Sequence, residues 1–509
     1  MRMFLRRYWL ALATGLIITI AGIAVGYAQL SPPGAPAPDS ADFAAYSRML
    51  SNIERLAQNH RSSGSDENAR VRQSIVDEIT DMGLTPIVES EICTFSELID
   101  QNMEFWPGTR EELEKLALEQ LEELGYTVFN ENDELYLYNI WVKLEAQGTD
   151  NGVLFMAHYD SVPDCPGAAD DMVSVCALLE ALREQSGKPR ANAMYFLFTD
   201  GEELGLLGAN RFVSRHPEMR GRIELVVNFE ARGNTGGLQM FESSRNDYAM
   251  ARLFGRLDLH PIATSITPAV YRIMPNDTDL TVFLKDGYRG MNFAVIGGVE
   301  HYHMPTDNFA NLDKDSAYHY LLTATAFADM AADLDFALLE ATGDGVYFPF
   351  FPGNIVVMTV TAARVIAGVL LVLAVLWIVR TLKRGKDNVP APVRFPRHAI
   401  WYPLTVMAAA LVVMPSLLGV LGFSVFALLA SAMCYELTSA LKYGLAIRIA
   451  LFALLGFTLL ILCVPVMALM YMALGPLSLP VVIAIGVLPL SYLMFAALGI
   501  ETTSKTCSY

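Results

Sequence analysis

A chain of 509 residues exceeds what one ordinary hydrophobic core accommodates, so two or more structural units are expected. Its formal net charge of −18 excludes the basic surface that nucleic-acid-binding proteins need, and we expect no nucleic acid among its partners. The six cysteines form no Cys-x-x-Cys pair, which favours free buried thiols over a cysteine metal site. Hydrophobic residues make up 53% of the chain and are concentrated toward both ends.

The first apolar element covers residues 9–28 and directly follows three arginines. Twenty helical residues, at about 1.5 Å each, match a bilayer core about 30 Å thick. A cleaved signal peptide is the alternative, because Gly26 and Ala28 provide small residues for cleavage. The apolar region of a signal peptide usually covers only about 7–15 residues. We therefore predict an uncleaved N-terminal transmembrane anchor within residues 1–30.

Residues 31–350 are predicted to form one globular domain, in which short apolar runs alternate with helical patterns. The predicted strands are residues 139–144, 153–157, 194–199, 223–229 and 291–296. Amphipathic helices are predicted in residues 41–80 and 109–125, and further helices at 172–184, 203–214 and 314–334. This alternation is typical of an α/β fold with a mainly parallel mixed sheet and helices on both faces.

Acidic residues and histidines follow the predicted strands, at the edge of the sheet where α/β proteins place their chemistry. The candidates are His158, Asp160, Asp170, Asp171, Glu202, Glu203, Glu230, His301 and His303. Each has a structural explanation by itself, such as compensation of a helix dipole by paired acids. Their clustering after successive strands instead predicts a metal site. The residues alone leave open which of the last two histidines belongs to it.

Two spacings among these candidates have a chemical meaning. His158 and Asp160 lie two residues apart, so an extended backbone turns both side chains to the same face. A carboxylate placed there can hold the second ring nitrogen of a metal-ligating histidine. Adjacent Glu202 and Glu203 allow one carboxylate to ligate metal while the other moves a proton. Glu230 ends a very apolar strand, where an unpaired carboxylate would be costly to bury.

Residues 351–509 are almost wholly apolar and are predicted to form a bundle of about five transmembrane helices. The predicted spans lie near residues 358–380, 399–417, 420–437, 446–472 and 477–499. The basic residues that flank these spans share one side of the bilayer only if residues 401–435 cross it twice. The positive-inside rule makes that side cytoplasmic and places the globular domain outside the cytoplasm.

In this ordered set of motifs the sequence resembles the di-zinc aminopeptidases of peptidase family 28, which include bacterial leucyl aminopeptidase and aminopeptidase Y. The motifs are His158-x-Asp160, Gly167-Ala-x-Asp170-Asp171, Glu202-Glu203, Glu230 and Tyr302-His303-x-Pro-x-Asp307. The resemblance covers about residues 130–335. The layout of anchor, outer domain and membrane bundle is more particularly similar to the endoplasmic-reticulum metallopeptidase and vacuolar membrane protease branch.

The resemblance implies two Zn²⁺ ions per chain and assigns five metal ligands. In this assignment Asp170 bridges the two ions. His158 and Glu230 complete one site, and Glu203 and His303 complete the other. His303 is selected, rather than the histidine two residues before it, because it directly precedes the x-Pro-x-Asp segment of the motif.

Further roles also follow from the resemblance alone. Asp160 orients the histidine ligand two residues before it, and Glu202 is the general base of the reaction. The resemblance implies a cis peptide bond between Asp170 and Asp171, and it places Asp279 near the substrate pocket. Arg232 is left with two roles, a contact with substrate or compensation of nearby acids.

The implied protein is a membrane-bound metallopeptidase that hydrolyses N-terminal residues of peptides outside the cytoplasm. One alternative is a catalytically silent binding ectodomain, which would lack metal ligands, whereas none is missing here. Another is a single-zinc acyltransferase of the glutaminyl cyclase type, which a count of bound metal would separate. A transporter has little support, because only Arg364 and Glu436 place charge near the spans.

The expected partners are therefore peptide substrates and the lipid bilayer, and the oligomeric state is left open. The sequence contains one glycosylation sequon, residues 276–278, which falls in the presumed substrate loop. Scarcity of sequons favours a bacterial inner membrane with a periplasmic domain. An endomembrane protein with a lumenal domain is the alternative.

Overall fold

The computed structural model describes residues 28–103, 108–123, 134–257, 260–272, 274, 276–340, 343–351 and 353–365. No helix within these ranges is long and apolar enough to cross a membrane. The predicted N-terminal anchor, apart from residues 28–30, and the predicted spans beyond residue 365 lie outside the described residues. Residues 358 and 359, predicted to begin a span, end a strand instead. The chain divides into two compact units, and the larger comprises residues 32–261 and 271–342.

The described residues form strands and helices that we number in chain order. The strands are β1 (Ile87–Thr94), β2 (Glu134–Leu144), β3 (Thr149–His158), β4 (Asn192–Thr199), β5 (Ile223–Ala231), β6 (Gln239–Ser243), β7 (Ile262–Ala263), β8 (Gly290–Val295), β9 (Gly345–Phe351) and β10 (Asn354–Thr359). The α-helices are α1 (Phe43–Leu56), α2 (Asp66–Asp81), α3 (Phe95–Asn102), α4 (Arg110–Glu123), α5 (Val173–Gln185), α6 (Leu207–Arg215), α7 (Tyr248–Phe254), α8 (Ile266–Tyr271), α9 (Asp279–Lys285) and α10 (Lys314–Ala331). In the smaller unit, β9 and β10 form an antiparallel pair.

The larger unit is built on a mixed sheet in which its strands follow the order β1-β2-β4-β3-β5-β8-β6. The four central strands β4, β3, β5 and β8 are parallel to one another. Strands β1, β2 and β6 pair antiparallel with their neighbours. The predicted α/β class with a mixed, mainly parallel sheet is thus confirmed for its centre, and the antiparallel strands extend it on both sides.

Helices cover both faces of this sheet because the chain reverses direction across it. From β3 the chain crosses to β4 on one side, and from β4 it returns past β3 to β5 on the other. Right-handed crossovers in opposite directions place α5 and α6 on opposite faces. Helices α6 and α9 pack Phe212 and Phe283 against Leu154 and Met156 of β3. Helix α5 packs against β3 and α10.

The boundaries of several predicted elements differ from the structure for local reasons. The predicted helical region 41–80 is two helices, α1 and α2, separated at residues 57–65. The helix predicted from residue 203 begins at Leu207, because Leu206 adopts a left-handed conformation with φ of 62°. Strand β1 was not predicted, since half of its residues are exposed and its sequence lacks a continuous apolar run. Cys93, Cys165 and Cys176 are free and buried, as expected.

Candidate metal centre

The candidate residues lie at the carboxyl edge of the parallel part of the sheet. His158 is the last residue of β3, and Glu230 is the last but one of β5. Glu202 and Glu203 lie shortly after the end of β4, and Asp170 lies in the turn Ala168–Met172, which leads into α5 and is not helical at Asp170. Because parallel strands point the same way, their carboxyl ends meet at one edge. Residues far apart in the sequence are therefore brought together there.

One group of possible ligands consists of His158, Asp170 and Glu230. One ligand atom from each of the three lies within 4.8 Å of the other two. The His158 Nε2 atom is 3.2 Å from Asp170 Oδ1 and 3.6 Å from Glu230 Oε2. All three side chains are buried. An imidazole nitrogen and two carboxylate oxygens are thus directed at one point.

A second group consists of Asp170, Glu203 and His303, again with ligand atoms within 4.8 Å of one another. The His303 Nε2 atom is 3.3 Å from Asp170 Oδ2 and 3.1 Å from Glu203 Oε2. Asp170 therefore presents Oδ1 to the first group and Oδ2 to the second. Among the described residues, His301 belongs to none of the groups that could hold a metal.

The chemistry of these two groups fits zinc. Imidazole nitrogens and carboxylate oxygens are ligands that Zn²⁺ accepts in proteins. The buried atoms His303 Nε2 and Glu203 Oε1 have no hydrogen-bond partner among the described residues, although buried polar atoms are normally paired. His303 also has a φ of 57°, an uncommon conformation for a non-glycine residue and one often found at functional sites. A cation in the second group would give these atoms their missing partner.

The electrostatics of the cluster also favour cations. Burial raises the pKa of the Glu202, Glu203 and Glu230 carboxyl groups, and neighbouring acids raise them further. Burial opposes ionisation of Asp170 as well, but the neighbouring His158 and His303 imidazoles hold its pKa below the ordinary value. So many carboxylates in one buried place repel each other unless positive charge is supplied.

Asp160 connects the histidine at the end of β3 with the turn that follows β4. Its Oδ1 atom is 3.4 Å from His158 Nδ1, on the side of the ring away from Asp170. The backbone N–H groups of Glu202 and Glu203 each donate to the Asp160 carboxylate at 3.2 Å. This carboxylate is thus placed to orient one histidine and both glutamates.

Asp279 lies deep in the larger unit and is fully buried, at the first residue of α9. The Thr199 hydroxyl donates to its Oδ2 atom, and burial raises its pKa to about 7. A cavity of about 660 Å³ in the same unit is lined by other residues, including Glu242, Tyr271 and Arg272. Asp279 does not line that cavity, so its predicted place near a substrate pocket stays a prediction.

Arg232 lies beside the second group through an aromatic contact. Its guanidinium carbon is 4.3 Å from the centre of the Tyr302 ring. That ring in turn stacks on the His303 imidazole with 3.7 Å between ring centres. The structure therefore connects Arg232 to the site by stacking, and this contact supports neither of the two predicted roles over the other. The cis peptide bond between Asp170 and Asp171 that the resemblance implied is present.

Sequence reasoning missed a polar segment that packs behind the site. Arg61 and Ser63 precede α2 and are buried. The Ser63 hydroxyl donates to Asp200 Oδ1 at 2.8 Å, and the Asn68 side chain donates to the same atom at 3.0 Å. In the sequence these residues belong to a polar stretch that is typical of a surface loop. Only the contacts with distant parts of the chain show that they are buried.

Comparison with known proteins identifies a family whose sequences this chain resembles. Residues 139–328 match Peptidase family M28. The vacuolar membrane protease of Candida dubliniensis is 30% identical over 273 residues, which are 48% of this chain and 29% of that protein. Endoplasmic reticulum metallopeptidase 1 of Mus musculus is 28% identical over 283 residues, covering 52% of this chain and 31% of that protein. The chain therefore spans less than a third of the length of these curated relatives.

Solved structures with a similar arrangement include an aminopeptidase from Aneurinibacillus sp. strain AM-1, with 14% identity and a TM-score of 0.44. This likeness covers 57% of the present chain and 94% of the other. The glutaminyl cyclase of Fimbriiglobus ruber has 12% identity and a TM-score of 0.40, over 59% of this chain and 97% of the other.

Proposed function

The chain belongs to peptidase family M28, a family of zinc metallopeptidases, and on that premise we propose that it is a di-zinc aminopeptidase. The observation that carries the proposal is the shared carboxylate of Asp170, whose two oxygens face two separate groups of ligands. His158 and Glu230 complete the first group, and Glu203 and His303 complete the second. Zinc ions held by these residues would polarise the scissile carbonyl and activate a water molecule for attack.

Glu202 is the residue that moves the proton in the proposed reaction. Its carboxylate lies within 4.8 Å of His158 and Glu203 at the same edge of the sheet. Burial raises the pKa of Glu202, and the charge of Glu230 raises it further. The Glu202 carboxylate would take the proton from the attacking water and deliver it to the nitrogen of the leaving amine.

The surroundings of the site support attack at the N-terminus of a peptide. Carboxylates dominate the cluster, and their negative potential attracts a free α-ammonium group. An internal peptide bond has no positively charged group beside it that this potential could attract. We therefore propose peptides with a free N-terminus as the substrate class.

Two other activities remain alternatives to this proposal. A glutaminyl cyclase-type acyltransferase with one zinc ion would need only one of the two groups, whereas both are assembled here. A silent binding domain would not need a further acid beside the ligands, whereas the Glu202 carboxylate lies within 4.8 Å of His158 and Glu203. The number of zinc ions per chain and the release of amino acids separate these three activities.

We further propose that the domain works outside the cytoplasm of a membrane-bound protein. The support is the apolar character of residues 9–28 and of most residues after 358, which lie almost wholly outside the described part of the chain. The names of the relatives also place one of them in the vacuolar membrane and the other in the endoplasmic reticulum. A bacterial inner membrane with a periplasmic peptidase domain is our proposed location.

The test is amino-acid release from unblocked and N-acetylated peptides by the detergent-purified full chain. We expect release from unblocked peptides only. Glu202→Gln should retain two zinc ions and lose at least about 100-fold in kcat, because general-base catalysis commonly contributes a factor of about 10² to 10⁴. The matched control is Glu184→Gln, since Glu184 lies on α5 and forms an exposed ion pair with Lys188 beyond its end. Full activity in the Glu202 variant would refute the assignment of the base. No release with zinc supplied would favour the silent binding domain.

A further inference from the structure

Arg61 is an arginine whose side chain is fully buried, with 0% of its surface exposed. A buried guanidinium is costly unless its N–H groups are paired. The acceptors here are backbone carbonyl groups: Nε donates to Tyr159 at 2.6 Å, Nη1 to Pro166, and Nη2 to Gly167 at 2.8 Å and to Asp170 at 3.3 Å. All four carbonyls belong to the segment between the end of β3 and the turn that carries the shared ligand.

The packing between this guanidinium and the loop leaves no free space. Gly167 has a φ of 58°, a conformation that favours glycine. A Cβ atom added at Gly167 would lie 2.1 Å from the Asp170 carbonyl oxygen and 2.9 Å from Arg61 Nη1. Any larger residue would therefore push the arginine and the loop apart.

Asp307 holds the same loop through its amide groups. Its Oδ1 atom accepts from the Ala169 N–H at 2.9 Å, and its Oδ2 atom accepts from the Asp170 N–H at 3.0 Å. The Asp307 side chain is 1% exposed. Arg61 thus binds carbonyl groups of the loop, and Asp307 binds N–H groups of the next residues.

We infer that Arg61 and Asp307 are a pair of positioning residues that set the orientation of the Asp170 carboxylate between the two zinc groups. The inference rests on the proposed function, because it takes Asp170 as the ligand that both ions share. The carboxylate must direct one oxygen to each group, so a small rotation of the loop would weaken both. Restraining the loop by its carbonyl and N–H groups prevents that rotation.

Replacement of Arg61 by lysine separates its charge from its geometry. Arginine presents five N–H donors in a rigid fork, whereas lysine presents three donors at one point on a flexible chain. A lysine ammonium keeps the positive charge but cannot reach all four carbonyl groups. Groups that orient metal ligands commonly contribute about 10-fold to 100-fold to metal affinity.

The matched control is another buried arginine. Arg190 is 7% exposed and also donates to backbone carbonyls, those of Glu145 and Gln185. It lies just before the start of β4, whereas the site lies beyond the other end of that strand. Replacing Arg190 should therefore affect stability without affecting the metal ligands.

The experiment measures zinc affinity of the metal-stripped full chain in detergent, by competition with a chromophoric chelator. Circular dichroism and thermal unfolding are recorded for each variant. We expect Arg61→Lys and Asp307→Asn to bind zinc at least about 10-fold more weakly than the wild type, and Arg190→Lys to retain wild-type affinity. Asp307→Asn keeps the size of the side chain and one acceptor. If Arg61→Lys does not fold, the zinc affinity of Asp307→Asn therefore tests the inference.

Wild-type zinc affinity in folded Arg61→Lys and Asp307→Asn would overturn the inference. An equal loss of affinity in Arg190→Lys would overturn it too, because the effect would then reflect general loosening of the domain. Zinc affinity is measured without substrate. A chain whose zinc affinity depends on Arg61 but which releases no amino acid would therefore overturn the aminopeptidase proposal and leave the positioning pair in place.

Discussion

Glu242 is a buried carboxyl group whose ionisation should oppose folding at neutral pH. Its side chain is 5% exposed, and its Oε2 atom accepts a hydrogen bond from the Asn292 side chain at 3.0 Å. Burial, with a smaller contribution from the charge of Asp277, raises the pKa of Glu242 from 4.5 to about 7. Glutamine has nearly the same shape and stays neutral, and its side-chain oxygen can still accept from Asn292. We therefore predict that Glu242→Gln stabilises the protein at high pH.

The magnitude follows from the size of this shift. A change from 4.5 to about 7 is about 2.5 pKa units, and at 1.36 kcal/mol per unit it corresponds to about 3 kcal/mol. Between these pH values the folded state keeps a proton that the unfolded chain has lost. Stability must then fall as the pH rises through this window. Below about pH 4.5 both states are protonated, and the effect is absent.

The assay is thermal unfolding of the full chain in detergent, with saturating zinc, at several values between pH 5 and pH 8. Unfolding entropy of about 2.1 cal/mol/K per residue, over roughly 300 residues in the larger unit, converts about 3 kcal/mol into about 5 °C. Glu242→Gln should thus unfold about 5 °C above the wild type at pH 8 and show a smaller difference at pH 5.

The control is Glu180→Gln. Glu180 is equally buried, but its two oxygens accept hydrogen bonds from Arg48 at 2.7 and 3.2 Å, so this replacement should destabilise the protein. Equal Tm values of the wild type and Glu242→Gln at every pH would refute the reasoning about Glu242.

Three further predictions concern the site and its support. Gly167→Ala should destabilise the protein by about 2 kcal/mol or more in urea unfolding and lower its zinc content, because the new Cβ atom would lie 2.1 Å from the Asp170 carbonyl oxygen. An unchanged free energy of unfolding and an unchanged zinc content would contradict the close packing at Gly167. Tyr320→Phe should lower the free energy of unfolding by about 1–3 kcal/mol, since the buried hydroxyl donates to the Glu230 carbonyl and accepts from the Val295 N–H. Tyr318→Phe loses a hydroxyl contact with exposed Asp42 and should lower the free energy of unfolding by less than Tyr320→Phe does. A larger loss of stability in Tyr318→Phe would argue against the buried hydrogen bonds of Tyr320. Removal of zinc by a chelator should lower the Tm reversibly, because bound metal stabilises the folded state by about 2.7 kcal/mol at 100 times its Kd; a Tm that does not depend on zinc would exclude a metal bound in the folded state.

Local patterns in the sequence were sufficient to predict the centre of the fold. The runs before His158, Glu202 and Glu230 are continuously apolar, which is typical of strands buried on both faces. Acids and histidines placed directly after such runs must meet at one edge of a parallel sheet. The α/β class and the residues of the candidate site could therefore be predicted before any tertiary contact was known.

The antiparallel strands were harder to predict, for a physical reason. Strand β1 exposes Ile87, Val88 and Ile92, each at 43%, so its sequence shows neither a continuous apolar run nor a clear alternation. Strand β6 is only five residues long. Their pairing depends on partners elsewhere in the chain, and a short local window contains no information about them.

The sequence by itself thus determined which candidate residues follow the buried strands and at which edge of the sheet they meet, but it left the choice between His301 and His303 open. Only the tertiary structure decided how they are arranged: that Asp170 directs one oxygen to each group, that Asp160 contacts both the histidine and the glutamate turn, and that Arg61 is buried behind the loop. The Arg61 guanidinium reaches carbonyl groups about 100 residues further along the chain. Local periodicity reports which face of an element is buried, but contacts over such separations depend on how the elements pack.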